Sequence, residues 1–133
     1  MYLLDTNVLS ALRRPERAPK VTKWLRGKPE EQLFLSVITI GEIERGIAQQ
    51  KHRNPRFAED LQHWIDRTTL LFADRLLSFG TDDARIWGNL SARIGHNGAD
   101  LQIAATALVH GATVVTGNIS DFEPTGAQLE DPF

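Results

Sequence analysis

Four acidic side chains, Asp5, Glu42, Asp100 and Asp121, stand where the chain pattern puts the ends of strands or the helices that follow them. Asp5 follows the apolar run Tyr2 to Leu4, and Glu42 sits in a helix after a second apolar run. Asp100 opens a later helix, and Asp121 follows the run ATVVT at Ala112 to Thr116. If the strands before Asp5 and Asp121 are neighbours in a parallel sheet, these groups converge at its carboxyl edge, where open α/β sheets hold their ligand crevice. Four carboxylates that close together cannot all stay ionised unaided. A divalent cation resolves the conflict, and hard oxygen donors without Cys or paired His suit Mg²⁺ or Mn²⁺ rather than Zn²⁺. The chemistry expected of such a centre is metal-assisted hydrolysis, with water as nucleophile and the cation stabilising charge on a phosphate.

Each acid also has a plainer role. Asp5 or Thr6 can cap the helix over Val8 to Leu12 by accepting a free backbone N–H. Glu42 can be a solvated helix residue beside Arg45 and Gln49, Asp100 an N-cap, and Asp121 a turn residue. What favours a joint site is recurrence, because independent surface acids have no reason to fall repeatedly at the carboxyl edge of one sheet.

The elements that must position these acids follow from periodicity and punctuation. A length of 133 residues allows one domain, 1–133, with a sizeable core. Pro15 stops the first helix; Pro19 opens a second with Val21, Trp24 and Leu25 inward, and Gly27 and Pro29 end it. Gln32 to Ile38 reads as a second buried strand. In the helix after it, Ile40, Ile43 and Ile47 form an apolar stripe. Thr39, Glu42 and Gly46 share another face, on which Gly46 admits a close neighbour. Asn54-Pro55 opens a long helix through about Leu71. A short strand at Leu76 to Phe79 follows, then a helix capped by Thr81 with Asp82 and Asp83 in its positive first turn. His96-Asn97-Gly98 breaks the chain before a helix in which Ile103, Ala104, Ala107 and Leu108 make one packed face. Gly111 ends it, Ala112 to Thr116 is a buried strand, and Ala127 to Leu129 is a short edge strand. This alternation predicts a three-layer α/β/α domain with a mainly parallel sheet of four to five strands.

Composition narrows the function classes. There is no Cys, hence no disulfide framework, thiol nucleophile or Cys-based zinc site. No leader or membrane-spanning segment is evident, so a cytoplasmic location is expected. The formal net charge of −2 is unlike that of a protein that coats nucleic acid, but its distribution is uneven. Between positions 13 and 28 seven basic residues face one acid, Glu16, whereas after Asn118 there are four acids and no base. Arg13, Arg14 and Arg17 are therefore candidates for phosphate contacts, against the alternative of a merely solvated face.

In LLDTNVLS at Leu3 to Ser10, LSVITIGEIERG at Leu35 to Gly46, ADLQIAATALVHGATVVTGN at Ala99 to Asn118, and Asp121-Phe122, the chain resembles the PIN-domain ribonucleases. Within them it is most similar to the VapC-like toxins of bacterial toxin–antitoxin pairs, including the FitB-like members. The blocks come in family order and span nearly the full chain. The resemblance implies that Asp5, Glu42, Asp100 and Asp121 form the acidic metal site, supported by Asn7, Thr39, Thr116 and Asn118. It also implies Mg²⁺-dependent endonucleolytic cleavage of RNA, tRNA or rRNA among the expected targets, with Mn²⁺ as a possible substitute. The partners implied are a VapB-like antitoxin that fills the site and a second copy in a homodimer; DNA is met only through the antitoxin. One departure is Gly117, where many relatives carry Arg or another polar residue, so a substrate-facing side chain is expected to be missing. Two rival readings remain. A Mg²⁺-dependent phosphohydrolase can also place an Asp after its first strand, although its usual second Asp is Asn7 here. A PIN-like module could use the groove only to dock RNA or protein.

Overall fold

The computed structural model describes all residues, 1–133. Its centre is a five-stranded, wholly parallel sheet in the order β3-β2-β1-β4-β5. The strands are β1 (Tyr2–Leu4), β2 (Leu33–Ser36), β3 (Leu76–Leu77), β4 (Thr113–Val115) and β5 (Gln128–Glu130). Between them run α1 (Thr6–Leu12), α2 (Pro19–Arg26), α3 (Val37–Gln50), α4 (Pro55–Leu71), α5 (Thr81–Ile94), α6 (Ala99–His110) and α7 (Ile119–Phe122). The three-layer α/β expectation holds, with five strands.

Side chains of a strand alternate between its faces, and β1 and β4 show how this builds two cores. Leu4 and Val115 point to one side, where Val8, Leu9, Val21, Leu25, Ile43, Ile47 and Ile65 of α1 to α4 cover the sheet. Leu3 and Val114 point to the other, against Leu90, Ile103, Ala104, Ala107 and Phe122 of α5 to α7. The alanines of α6 bring that helix close to the sheet, and Leu101 and Thr106 are fully buried as well.

Several expected boundaries move. The second strand ends at Ser36, not Ile38, because the Ser36 hydroxyl accepts the Ile38 N–H at 3.0 Å and starts α3 there. The strand expected over Leu76 to Phe79 keeps two residues, and the last strand is displaced by one to Gln128–Glu130. Thr81 does not cap α5: Gly80 is the N-cap, and Asp83 Oδ1 accepts its N–H at 3.0 Å. Asp83 Oδ2 accepts from Thr106 Oγ1 at 2.7 Å, a buried bond that ties α5 to α6. The end of α5 is set by Gly95, whose φ of 96° favours a residue without Cβ. Leu108 is exposed and lies outside the packed face of α6. Gly46 admits no close neighbour, since a Cβ there would meet nothing within 4 Å. Among the helices, none is long and apolar enough to cross a membrane.

Candidate active site

Strand register builds the site. Tyr2, Leu3 and Leu4 of β1 pair with Thr113, Val114 and Val115 of β4, and Tyr2 and Leu3 pair with Leu33 and Phe34 of β2. One residue beyond these pairs, the carboxyl edge carries Asp5 beside Thr116, with Ser36 ending β2 on the other flank. Asp5 is buried, and both of its oxygens are engaged. Oδ1 accepts the Thr6 N–H at 2.8 Å, so the capping role is real, and Oδ2 accepts from Thr116 Oγ1 at 2.7 Å. The Thr116 hydroxyl in turn accepts the Asn118 N–H at 2.9 Å, which fixes the turn after β4.

Glu42 is held from α1. Thr6 Oγ1 donates to Glu42 Oε1 at 2.6 Å and lies within hydrogen-bond distance of Thr39 Oγ1, at 3.2 Å. Thr39 and Glu42 are three apart on α3 and so present one face. Asp100 is the second residue of α6 rather than its N-cap, a place taken by Gly98, and it is half-buried. Asp5, Thr6, Asn7, Ser10, Glu42, Asp100 and Asn118 line one open cleft of about 410 Å³. Asp121 is exposed on α7 and is not among the lining residues, but its charge reaches both Asp5 and Asp100. Arg13, Arg14 and Arg17 are also outside the cleft, and the Arg13 guanidinium lies 5.1 Å from the Phe57 ring centroid.

The electrostatics are those of an uncompensated acidic centre. Burial pushes the Asp5 carboxyl above its ordinary pKa, against the lowering effect of the Thr116 and Thr6 hydrogen bonds, and the Asp121 charge pushes it further. Asp100 is raised by burial first, then by repulsion from Asp5, Asp121 and Glu42, with His96 opposing. No basic residue lines the cleft. No three His, Asp or Glu side chains stand close enough together to hold an ion between them. The donor set nonetheless fits a hard divalent cation. Its oxygens are carboxylate, amide and hydroxyl, and Asn7 Oδ1 is buried without a hydrogen-bond partner.

The family model described as PIN domain matches residues 2–123. The chain belongs to the PIN-domain family. Among its relatives are the VapC ribonuclease Y4jK of Sinorhizobium fredii, 34% identical over 100% of this chain and 98% of the relative. The toxin FitB of Neisseria gonorrhoeae is 33% identical over 100% and 99%. The crystal structure of FitAcB from Neisseria gonorrhoeae superposes with a TM-score of 0.85 at 33% identity, covering 99% of this chain and 98% of that one.

Within this PIN domain, two cleft residues were not singled out as functional from the sequence. Thr6 entered only as a possible cap, yet its hydroxyl is what joins α1 to Glu42. Ser10 lines the cleft four residues further along α1; the i, i+4 spacing on one helix face was the available signal.

Proposed function

We propose that this PIN domain, formed by residues 1–133 as a single unit, is a VapC-type toxin: a cytoplasmic, divalent-cation-dependent endoribonuclease restrained by a VapB-like antitoxin. The observation that carries the reading is the convergence of Asp5, Glu42 and Asp100 on one cleft that contains no base. Asp5, Glu42 and Asp100 would hold Mg²⁺, or Mn²⁺ in its place, with Asp121 completing the negative field. When bound, the cation supplies Lewis acidity to phosphate oxygens and makes water a stronger nucleophile near neutral pH. Thr116 and the Thr6 N–H keep Asp5 oriented and favour its ionised form, while the Thr6 hydroxyl holds the Glu42 carboxylate toward the cleft. Asn7 and Asn118 line the cleft with neutral polar groups. Because the cleft itself repels a polyanion, an RNA backbone enters it only with the cation present, which couples binding to metal. An antitoxin segment that presents a cationic group to the same acids would silence the enzyme by taking the place of that charge.

The test is cleavage of a mixed tRNA and rRNA pool by the antitoxin-free chain with Mg²⁺ or Mn²⁺, with EDTA, and with Asp5→Asn or Asp100→Asn. Discrete fragments that require metal and disappear in both variants are expected. Variants that cut as the parent does would remove the acids from the reaction, and metal binding without cleavage of any RNA would favour a docking module.

A further inference from the structure

The acidic cleft explains neither the half-exposed Phe133 nor the basic surface of α2, and the two are joined. Gly117 lies between Thr116, which holds Asp5, and Asn118, which lines the cleft. A Cβ on Gly117 would stand 2.9 Å from Cδ2 and 3.0 Å from Cε2 of Phe133, and 3.5 Å from Nδ2 of Asn7. The Phe133 ring therefore fills the space into which a side chain at 117 would project, at the lip of the site. Its position is defined by buried Pro132 before it and by its own N–H, which donates to Asp131 Oδ1 at 2.9 Å. It nevertheless remains 48% exposed.

Phe133 also closes a groove of about 380 Å³ lined in part by Arg17 and Lys20. That groove shares Pro19 with a second, of about 490 Å³, which carries Lys23 and Arg26. A third, of about 440 Å³, shares Lys20 with the first and Lys23 with the second. The grooves are thus one continuous surface along α2. Glu16 and Asp131 are the acids on it, against Arg17, Lys20, Lys23, Arg26 and Lys28. Lys28 is already engaged, its Nζ 5.2 Å from the ring centroids of both Tyr2 and Trp24, and Arg13 lies over Phe57. The free cations are Arg17, Lys20, Lys23 and Arg26.

We propose that this surface is the path of single-stranded RNA, with phosphates on Arg17, Lys20, Lys23 and Arg26 and an unpaired base stacked on Phe133 beside the acidic cleft. A cleft that repels phosphate needs a cationic approach, and basic grooves combined with an exposed aromatic are how single strands are held without reading their sequence. Stacking at Phe133 sets which phosphodiester faces Asp5 and Asp100, so the ring positions the substrate without touching the reacting atoms. The proposal rests on the ribonuclease reading above.

The experiment uses the full chain. Affinity for a short, fluorescein-labelled, mixed-sequence single-stranded RNA is measured by anisotropy in the metal-free Asp100→Asn chain, whose substitution lies outside the α2 grooves and Phe133, and KM and kcat are measured in the active chain with Mn²⁺. Phe133→Leu, which keeps apolar packing but loses the flat face, is expected to weaken binding about 5- to 50-fold. That loss should appear in KM with an unchanged melting midpoint, and Phe133→Tyr should restore affinity. Lys20→Ala with Lys23→Ala should reduce the salt slope of log K by about 1.4, the value for two phosphate contacts on a single strand. RNA affinity unchanged in Phe133→Leu overturns the proposal while leaving the nuclease intact. So does an unchanged RNA affinity with weakened antitoxin binding, which would make the surface a protein dock. A parent chain that neither binds nor cuts RNA overturns the ribonuclease reading and this one with it.

Discussion

Replacing Thr116 by Val should show how strongly the end of β4 supports the acid at the end of β1. The two side chains are nearly isosteric, so packing is conserved and the hydroxyl alone is lost. That hydroxyl is fully buried, donates to Asp5 Oδ2 at 2.7 Å and accepts the Asn118 N–H at 2.9 Å. A hydrogen bond to a charged group contributes about 1.5–3 kcal/mol net, and leaving a partly buried N–H unpaired adds to the loss. A cost of about 2–3 kcal/mol at neutral pH is therefore expected. With an unfolding entropy near 2.1 cal/mol/K per residue, a chain of this length loses about 7–11 °C from its melting midpoint. Thr116→Ser keeps the oxygen and gives up only a buried methyl, so it should cost about 1 kcal/mol.

The pH dependence separates this bond from simple packing. The Thr116 donor lowers the Asp5 pKa, so its stabilisation of the carboxylate is present above the Asp5 titration and fades as pH falls through it. The gap between wild type and Thr116→Val should narrow in acid. Calorimetric melts of the metal-free chain at neutral and acid pH read this directly. If Thr116→Val melts within about 2 °C of wild type at neutral pH, or if Ser costs as much as Val, the hydroxyl is not what holds Asp5 and the reasoning fails.

Three further outcomes are expected. Folding raises the Asp5 and Asp100 pKa values, so their contribution to metal-free stability is fully present below the unfolded value of about 4 and is lost as pH rises through the folded values. Asp100→Asn should then melt higher than wild type at neutral pH without metal and the same in acid, while Mn²⁺ raises the midpoint of wild type far more than that of the variant; a pH series of melts with and without Mn²⁺ decides. Thr6→Val, which removes the 2.6 Å bond to Glu42, should lower Mn²⁺ affinity or cleavage about 10- to 100-fold, the usual cost of losing a supporting partner in a metal site; unchanged calorimetric binding and turnover would strip Thr6 of that role. Thr106→Val breaks the buried 2.7 Å bond to Asp83 and should cost about 1.5–3 kcal/mol in urea melts, with RNA cleavage by the folded protein unaltered.

What was legible in the sequence depended on whether a feature is written locally. Asp5 and Thr116 each stand where an apolar run gives way to polar residues, and parallel register then places them side by side at one edge, with Ser36 on the other flank. The exact strand ends did not matter to that inference, which is why moving the second strand's end from Ile38 to Ser36 left Glu42 in the following helix. Strands of two to four residues are defined by pairing with neighbours more than by their own propensities, so the shrinkage of β3 and the displacement of β5 were beyond local pattern. Side-chain encounters between elements were hidden for a related reason. Thr6 reaches Glu42 across 36 positions, and Phe133 reaches Gly117 only because β5 runs beside β4 and returns its end to the same edge. Gly117 read as a missing side chain, yet its missing Cβ is what lets Phe133 approach. Filling that space from a different part of the chain puts a flat aromatic ring at the lip. Substitution of Gly117 by any larger residue must therefore displace the ring as well as add a side chain, and its effect on RNA binding should match that of losing Phe133.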